Sequence, residues 1–377
     1  MINCDVLIVG GGPAGSSLAW GLRDSGLHVV LMDKQVFPRN KTCAGWITPT
    51  VIETLQLDID RYGCQHTLQP VRGFRIGQIG GNAIDIDYGA EPVSYGIRRC
   101  EFDHYLLQRS NTELRTGEPF SRIQRKENTW LVNDNIQARL VVGAGGHFCP
   151  VARYLGARTG RVETAVAAKE IEFRLNAAQM KACNVNPEFP ELYFCPDLKG
   201  YGWILRKGDY LNIGLGREDQ HRLPDHVTAF CKFLQDAQKI RFDVPKGFNG
   251  HAYLLYQHSS RPKLADGILL IGDAAGLAYS QSGEGIRPAI ESGLLASEII
   301  CNANGDYCVE NLARYEDAIT RRFGKQKQEN HYLPGLPDKF KQFLAQKLLK
   351  SRWFVRNIVI NRWFLHSDLP SLPLHGT

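Results

Sequence analysis

CDVLIVGGGPAGSSLAWGLRDSGLHVVLMDK, residues 4–34, runs from an apolar segment, Val6 to Val9, straight into Gly10-Gly11-Gly12-Pro13-Ala14-Gly15. Leu18, Ala19 and Leu22 then share one helical face, and a second apolar segment, His28 to Met32, ends in Asp33. A GxGxxG match alone is weak. Placed between strand and helix, with an acid 18 residues after the last glycine, it reads as a dinucleotide site. Gly10 permits the tight turn, Gly12 admits the pyrophosphate to the backbone, and Gly15 lets helix and strand pack closely. The unpaired N–H groups of the helix start face the phosphates, while Asp33 accepts from the ribose hydroxyls and repels a 2′-phosphate. The motif does not choose between FAD and NAD.

Two further glycine turns follow the same strand-to-turn pattern. LVVGAGG leads from the strand Leu140 to Val142, and ILLIGDAAG leads from Ile268 to Ile271 towards a long helix starting near Ile286. Between them lie strand-rich stretches. GFRIGQIGGNAIDIDYG alternates around Gly80-Gly81, and GYGWILRKGDYLNIGLG reads as a hairpin turning at Lys207-Gly208-Asp209. The expected fold is α/β, a Rossmann-like nucleotide domain interleaved with a mostly antiparallel sheet. The expected division is 1–76, 95–160 and 262–320 for the nucleotide domain, 77–94 and 161–261 for the substrate sheet, and 321–377 for a helical C-terminal region.

At 377 residues the chain can bury a large core, and 43% hydrophobic with 22% charged residues is ordinary globular composition. The ten cysteines include no CxxC pair, so neither zinc nor a disulfide framework is expected. A reduced, cytoplasmic protein fits best. No basic-then-apolar leader precedes the first strand, so no secretory signal is expected. No apolar run reaches the ~18 residues that span a bilayer. The net charge of +6 is uneven: Arg321 to Arg362 holds eleven Lys/Arg against Glu329 and Asp338. The tail NHYLPGLPDKFKQFLAQKLLKSRWFVRNIVINRWF has apolar residues at helical intervals: Phe340, Phe343, Leu344 and Leu348, then Trp353, Phe354 and Ile358. That pattern suits a helix packed on the body with a solvated basic face, and it also suits an interfacial helix on anionic lipid. No nucleic-acid-binding fold accompanies the charge.

KTCAGWITPTV, residues 41–51, raises a separate question at Cys43. A cysteine here is a small core residue or part of a reaction centre; its nearest partners, Cys64 and His66, lack zinc spacing. Tyr201 and Trp203, two apart on a strand, share one face, which lines a cavity or belongs to the sheet's core.

Six motifs in order resemble flavoproteins of the para-hydroxybenzoate-hydroxylase fold group, and within it the geranylgeranyl reductase family. They are the GxGxxG with Asp33; Lys41, Cys43 and Gly45; Arg99 with Phe102-Asp103; LVVGAGG; Tyr201 and Trp203; and GDAAG followed by SGEGIRPAIESG. The resemblance covers nearly the whole chain. It implies FAD, with Gly10, Gly12, Pro13, Ala14, Gly15, Asp33 and Lys34 on its ADP half. It further implies Arg99 at the phosphate or ribityl region, Gly145, Gly272 and Asp273 along the ribityl, and Cys43, Ala44 and Gly45 near the flavin and the substrate. Gly283, Gly285 and Ile286 would lie beside the isoalloxazine, where a helix N-terminus favours negative charge on the reduced ring. No metal is implied.

The implied activity is reduction of C=C bonds in an isoprenoid or other apolar substrate, with Cys43, Tyr201 and Trp203 as catalytic or lining residues and NAD(P)H or a protein carrier as electron donor. Two alternatives share the fold: a monooxygenase acting on an aromatic or peptide-borne ring, and a flavin redox partner or maturation protein. Two departures stand out. Gly143-Ala144-Gly145-Gly146 replaces the usual acidic turn, and Ile204-Leu205 replaces the Phe-Pro that usually follows Tyr-x-Trp.

Overall fold

A computed structural model describes residues 1–158, 163, 165–219, 222–326 and 338–373. The opening of the basic tail, through Pro337, lies outside the described residues. The first strand, Ile2–Val9, is central to a sheet of eight strands among those residues. It pairs in parallel with Val29–Asp33 and Ile136–Gly143, and Ile136–Gly143 pairs in parallel with Ile268–Leu270. Leu7, Ile8, Val30, Val141 and Leu269 are fully buried. Strands covered on both faces read as unbroken apolar runs, and burying each such side chain contributes about 1.5–3 kcal/mol. The helix Pro13–Gly21 starts at Gly12 and packs across Ile286–Asn302, where a Cβ on Gly293 would meet Ala14 O at 2.4 Å. Because the core strands are parallel, Gly10, Asp33, Ala144 and Gly272 all emerge at one edge.

The second sheet runs in the order Asn249–Tyr253, Val166–Arg174, Tyr210–Arg217, Gly200–Lys207, Glu191–Phe194, Gly73–Gln78, Ala83–Asp87. All its pairs are antiparallel except Glu191–Phe194 with Gly73–Gln78. The strand Gly73–Gln78 straddles the division expected between 76 and 77. It pairs with Ala83–Asp87 from Gly73, opposite Asp87, to Gly77, opposite Ala83, the hairpin that the alternation around Gly80-Gly81 predicts. A small sheet of Trp46–Ile47, Ser94–Ile97 and Leu68–Val71 anchors the Cys43 loop, with Ile97 N–H donating to Gly45 O at 2.8 Å.

The C-terminal region is helical at Asp338–Leu348 and Arg352–Phe354, the latter continuing as a wide π-type helix, Val355–Phe364. The 3.6-residue spacing put Trp353, Phe354 and Ile358 on the packed face. Phe354 does pack on the core that holds Trp46, Trp203 and Leu205, but the wide turn buries Val355, Val359, Ile360 and Phe364 there and leaves Trp353 67% exposed. No helix of the described residues is long and apolar enough to cross a membrane.

Candidate active site

The edge of the parallel sheet supplies a dinucleotide cradle. Gly10 takes φ +121° and its N–H donates to Met32 O at 2.8 Å. A Cβ on Gly15 would lie 1.9 Å from Gly10 O, so only hydrogen fits there. The Asp33 carboxylate accepts Gly11 N–H at 2.7 Å and Gln35 N–H at 2.8 Å, which fixes it beside the turn. A Cβ on Gly12 would meet only Arg39 Nη2, at 3.5 Å. The helix start therefore faces a guanidinium across open space. Arg39 Nη1 is buried without a hydrogen-bond partner, 3.2 Å from Asp103 Oδ2. Backbone N–H groups opposite an under-coordinated guanidinium make an anion site.

From this cradle one cavity of about 570 Å³ runs to the second sheet. Gly10, Gly12, Pro13, Ala14, Asp33 and Lys34 line its near end. Arg99, Gly145 and Asp273 line its middle, and Cys43, Ala44, Gly45, Gly283, Gly285 and Ile286 lie further along. Tyr201 and Trp203 close the far end with Trp46 and Tyr253. Two expected ligands stand behind the wall. Gly15 packs on Gly10, and a Cβ on Gly272 would meet Ala14 Cβ at 2.9 Å, so these glycines shape the cradle and do not line it.

Arg99, expected at the phosphate or ribityl region, lines the cavity together with Gly145 and Asp273. Its guanidinium forks onto Asp103 at 2.7 and 2.9 Å in a buried bidentate pair, and Cys43 lines the same cavity. Asp273 faces His251 Nε2 at 3.4 Å. Burial alone would raise the Asp273 carboxyl, but His251, Lys41 and Arg99 hold it below its ordinary value. Burial also depresses His251, and Lys41 pushes it the same way. Lys41 is itself lowered to about 8 by burial and by Arg99, and it sits among Arg99, Asp273 and Cys43.

At the far end, Tyr201 O–H donates to Ser282 O at 2.6 Å and Trp203 Nε1–H to Asn212 Oδ1 at 2.8 Å. A Cβ on Gly214 would sit 2.2 Å from the Trp203 ring, so the neighbouring strand gives way to seat the indole. The helix Ile286–Asn302 starts here, but its end is not bare. Glu284 Oε1 accepts Arg287 N–H at 2.8 Å. A carboxylate just before the helix reaches a first-turn amide as a cap does, so the expected positive end is partly answered from within the chain. Burial pushes Glu284 up to about 7. Among the described residues no group of three His, Cys, Asp or Glu could hold a metal ion.

The open backbone at Gly12, the Arg39 guanidinium across from it and a cavity of about 570 Å³ all fit a flavin dinucleotide. A family model for an FAD binding domain matches residues 3–62. Digeranylgeranylglycerophospholipid reductase 2 of Methanosphaera stadtmanae is 25% identical over 93% of each chain. The chloroplastic geranylgeranyl diphosphate reductase of Oryza sativa is 29% identical over 82% of this chain and 70% of its own. This chain is an FAD-dependent oxidoreductase, geranylgeranyl-reductase-like. The oxidoreductase shares its fold with a geranylgeranyl bacteriochlorophyll reductase-like protein from Thermoplasma acidophilum, with a TM-score of 0.74, 20% identity, and 98% and 93% of the two chains covered.

Arg39, His251, Tyr253, Glu284 and Asn212 of the oxidoreductase were missed by sequence reasoning. Arg39 carried a signal, a cation six residues after Asp33. His251 and Tyr253 reach the cavity, and Asn212 reaches the back of the Cys43 loop, through strand pairing that no local motif encodes, while Glu284 lies in the turn before the helix Ile286–Asn302.

Proposed function

We propose that this oxidoreductase reduces C=C bonds of an isoprenoid or similarly apolar chain, with Cys43 delivering the proton that accompanies hydride addition. Bound FAD, once reduced, supplies the hydride. The observation that carries the reading is a single cavity joining the dinucleotide cradle to an aromatic end walled by Trp46, Tyr201, Trp203 and Tyr253, with Cys43 between them. The names of the relatives, reductases of geranylgeranyl compounds, support it. Aromatic walls exclude water and take up an apolar chain. The Arg99 guanidinium, held by Asp103, lines the same cavity as Cys43 and places a positive charge near the thiol. NAD(P)H or a protein carrier is the electron donor in this reading.

The test is anaerobic incubation of the photoreduced FAD-loaded protein with a geranylgeranyl compound, followed by mass spectrometry. A gain of two hydrogens per reduced bond is expected. Oxygen-dependent hydroxylation of an aromatic compound, with no anaerobic product, would overturn the reading in favour of a monooxygenase.

A peripheral contact with anionic lipid belongs to the same reading. Residues 339–362 carry seven Lys/Arg and no Asp/Glu, and Phe340, Phe343, Leu348 and Trp353 are exposed beside them. Basic residues with exposed apolar neighbours match an anionic bilayer in both charge and polarity. The protein should co-sediment with vesicles containing anionic phospholipid and release in high salt. At about 1 kcal/mol per basic residue, Lys347→Gln with Lys350→Gln should weaken binding about 30-fold. Equal binding to purely zwitterionic vesicles would refute the contact.

A further inference from the structure

Behind the Cys43 loop lies a second cavity of about 280 Å³, separated from the first by Asn40 to Cys43. Both cavities also share Arg99 and His251. Two acids of the strand Val166–Arg174, Glu170 and Glu172, line the second cavity. Their hub is Asn212, 1% exposed, on the adjacent strand. Its Nδ2 donates to Glu170 Oε1 at 2.8 Å, Cys43 O at 3.1 Å and Glu172 Oε1 at 3.4 Å, while its Oδ1 accepts the Trp203 indole. Asn212 thus ties the Glu170 carboxyl group to the Cys43 backbone.

The charges around the pair are unequally shared. Glu172 is held by Lys207 at 2.7 Å and by Arg98 at 3.2 Å. Of the other groups facing the cavity, Arg99 is forked onto Asp103, His251 is turned to Asp273, and Lys41 and Cys100 bring no ion pair to Glu170. Glu170 is 5% exposed and makes no ion pair among the described residues. A buried carboxyl beside an ionised one, with no cation of its own, favours its neutral form. Burial, with Glu172, pushes Glu170 up to about 7.

We propose that Glu170 is the proton relay of this site, taking protons from the second cavity and passing them to the Cys43 loop so that the thiol is reloaded after each transfer. The proposal rests on the reading of Cys43 as proton donor. In that step the Cys43 S–H bond breaks as a C–H bond forms, and the electron pair stays on sulfur as thiolate. The Glu170 O–H proton then moves to that sulfur through the second cavity, which has room for bridging water. Solvent returns a proton to the carboxylate. Nothing in the relay is oxidised or reduced; the hydride comes from reduced FAD. Glu170 thus acts through Cys43 and never touches the substrate.

Glu170→Gln keeps an acceptor for Asn212 but cannot titrate. Burial raises Glu284 to about 7 as well, so the infrared spectra are taken in a Glu284→Gln background, where the flavin-free protein should show a protonated carboxyl band titrating at about 7. The band should be missing in Glu170→Gln and persist, with a lower midpoint, in Glu172→Gln. In the FAD-loaded protein, Glu170→Gln should slow steady-state turnover at least ~10-fold, slow the first turnover much less, and remove the pH dependence near neutrality. A band that survives Glu170→Gln, or wild-type steady-state turnover in that variant while Cys43→Ser is slow, overturns the relay alone. Wild-type rates in Cys43→Ser would overturn the relay together with the reading of Cys43.

Discussion

Gly15→Ala protein should emerge from purification colourless. The added Cβ would lie 1.9 Å from Gly10 O and 3.1 Å from Ile8 Cγ2, with backbone on the closer side and no flexible neighbour to yield. Helix and turn must part, which tilts the N–H groups away from the pyrophosphate. Overpacking of this kind costs about 3 kcal/mol, a loss of about 150-fold in FAD affinity, and the flavin-free protein should melt earlier too. Gly12→Ala separates the two effects. Its Cβ meets only Arg39 at 3.5 Å, ordinary contact, so the flavin-free protein should keep its melting temperature while losing FAD affinity to the ligand's own clash. Flavin fluorescence titrations alongside thermal melts of both variants check this. Retention of FAD by Gly15→Ala would mean that the turn is more pliant than its contacts indicate.

The second large effect is chemical. Cys43→Ser should bind FAD normally and lose about 10²–10⁴-fold in the rate at which substrate reoxidises the reduced protein anaerobically. A hydroxyl in place of the thiol keeps the shape of the wall beside Arg99 and Tyr201 but is a far poorer proton donor. Stopped-flow absorbance under anaerobic conditions reads the step directly. A change of only a few-fold would leave Cys43 as wall and return proton donation to water or another acid.

What could be read in the sequence follows the range of the interactions involved. The cradle was legible because Gly10, Gly12 and Asp33 act within one strand–helix–strand unit, whose turn chemistry is local. The hairpin at Gly208-Asp209 was legible for the same reason, as Lys207 pairs with Tyr210 directly across it. Glu170 and Asn212 were not legible. Each looks like an ordinary strand residue until antiparallel pairing sets Glu170 opposite Gly214 and Glu172 opposite Asn212. The burial of Val359 and Phe364 was hidden by a wide helical turn that no 3.6-residue pattern anticipates. Glu284 was visible within SGEGIRPA, yet its fold onto a helix amide depends on a backbone bend at Gly283, φ +69°.

The chain crosses from the parallel sheet to the second sheet between Asp33 and Gly73, returns before Glu113, leaves again after Gly143, and comes back between Tyr253 and Leu264. The tail then lies across the second sheet, with Phe364 edge-on to Tyr201 at 5.4 Å. Hinged jaws need a single narrow strap, whereas these two walls are stitched at several places, so the chamber cannot gape. Under the proposed reading, an isoprenoid chain would enter such a chamber end-first, and the depth to which it slides, more than any clamp closing over it, would decide which double bonds are saturated.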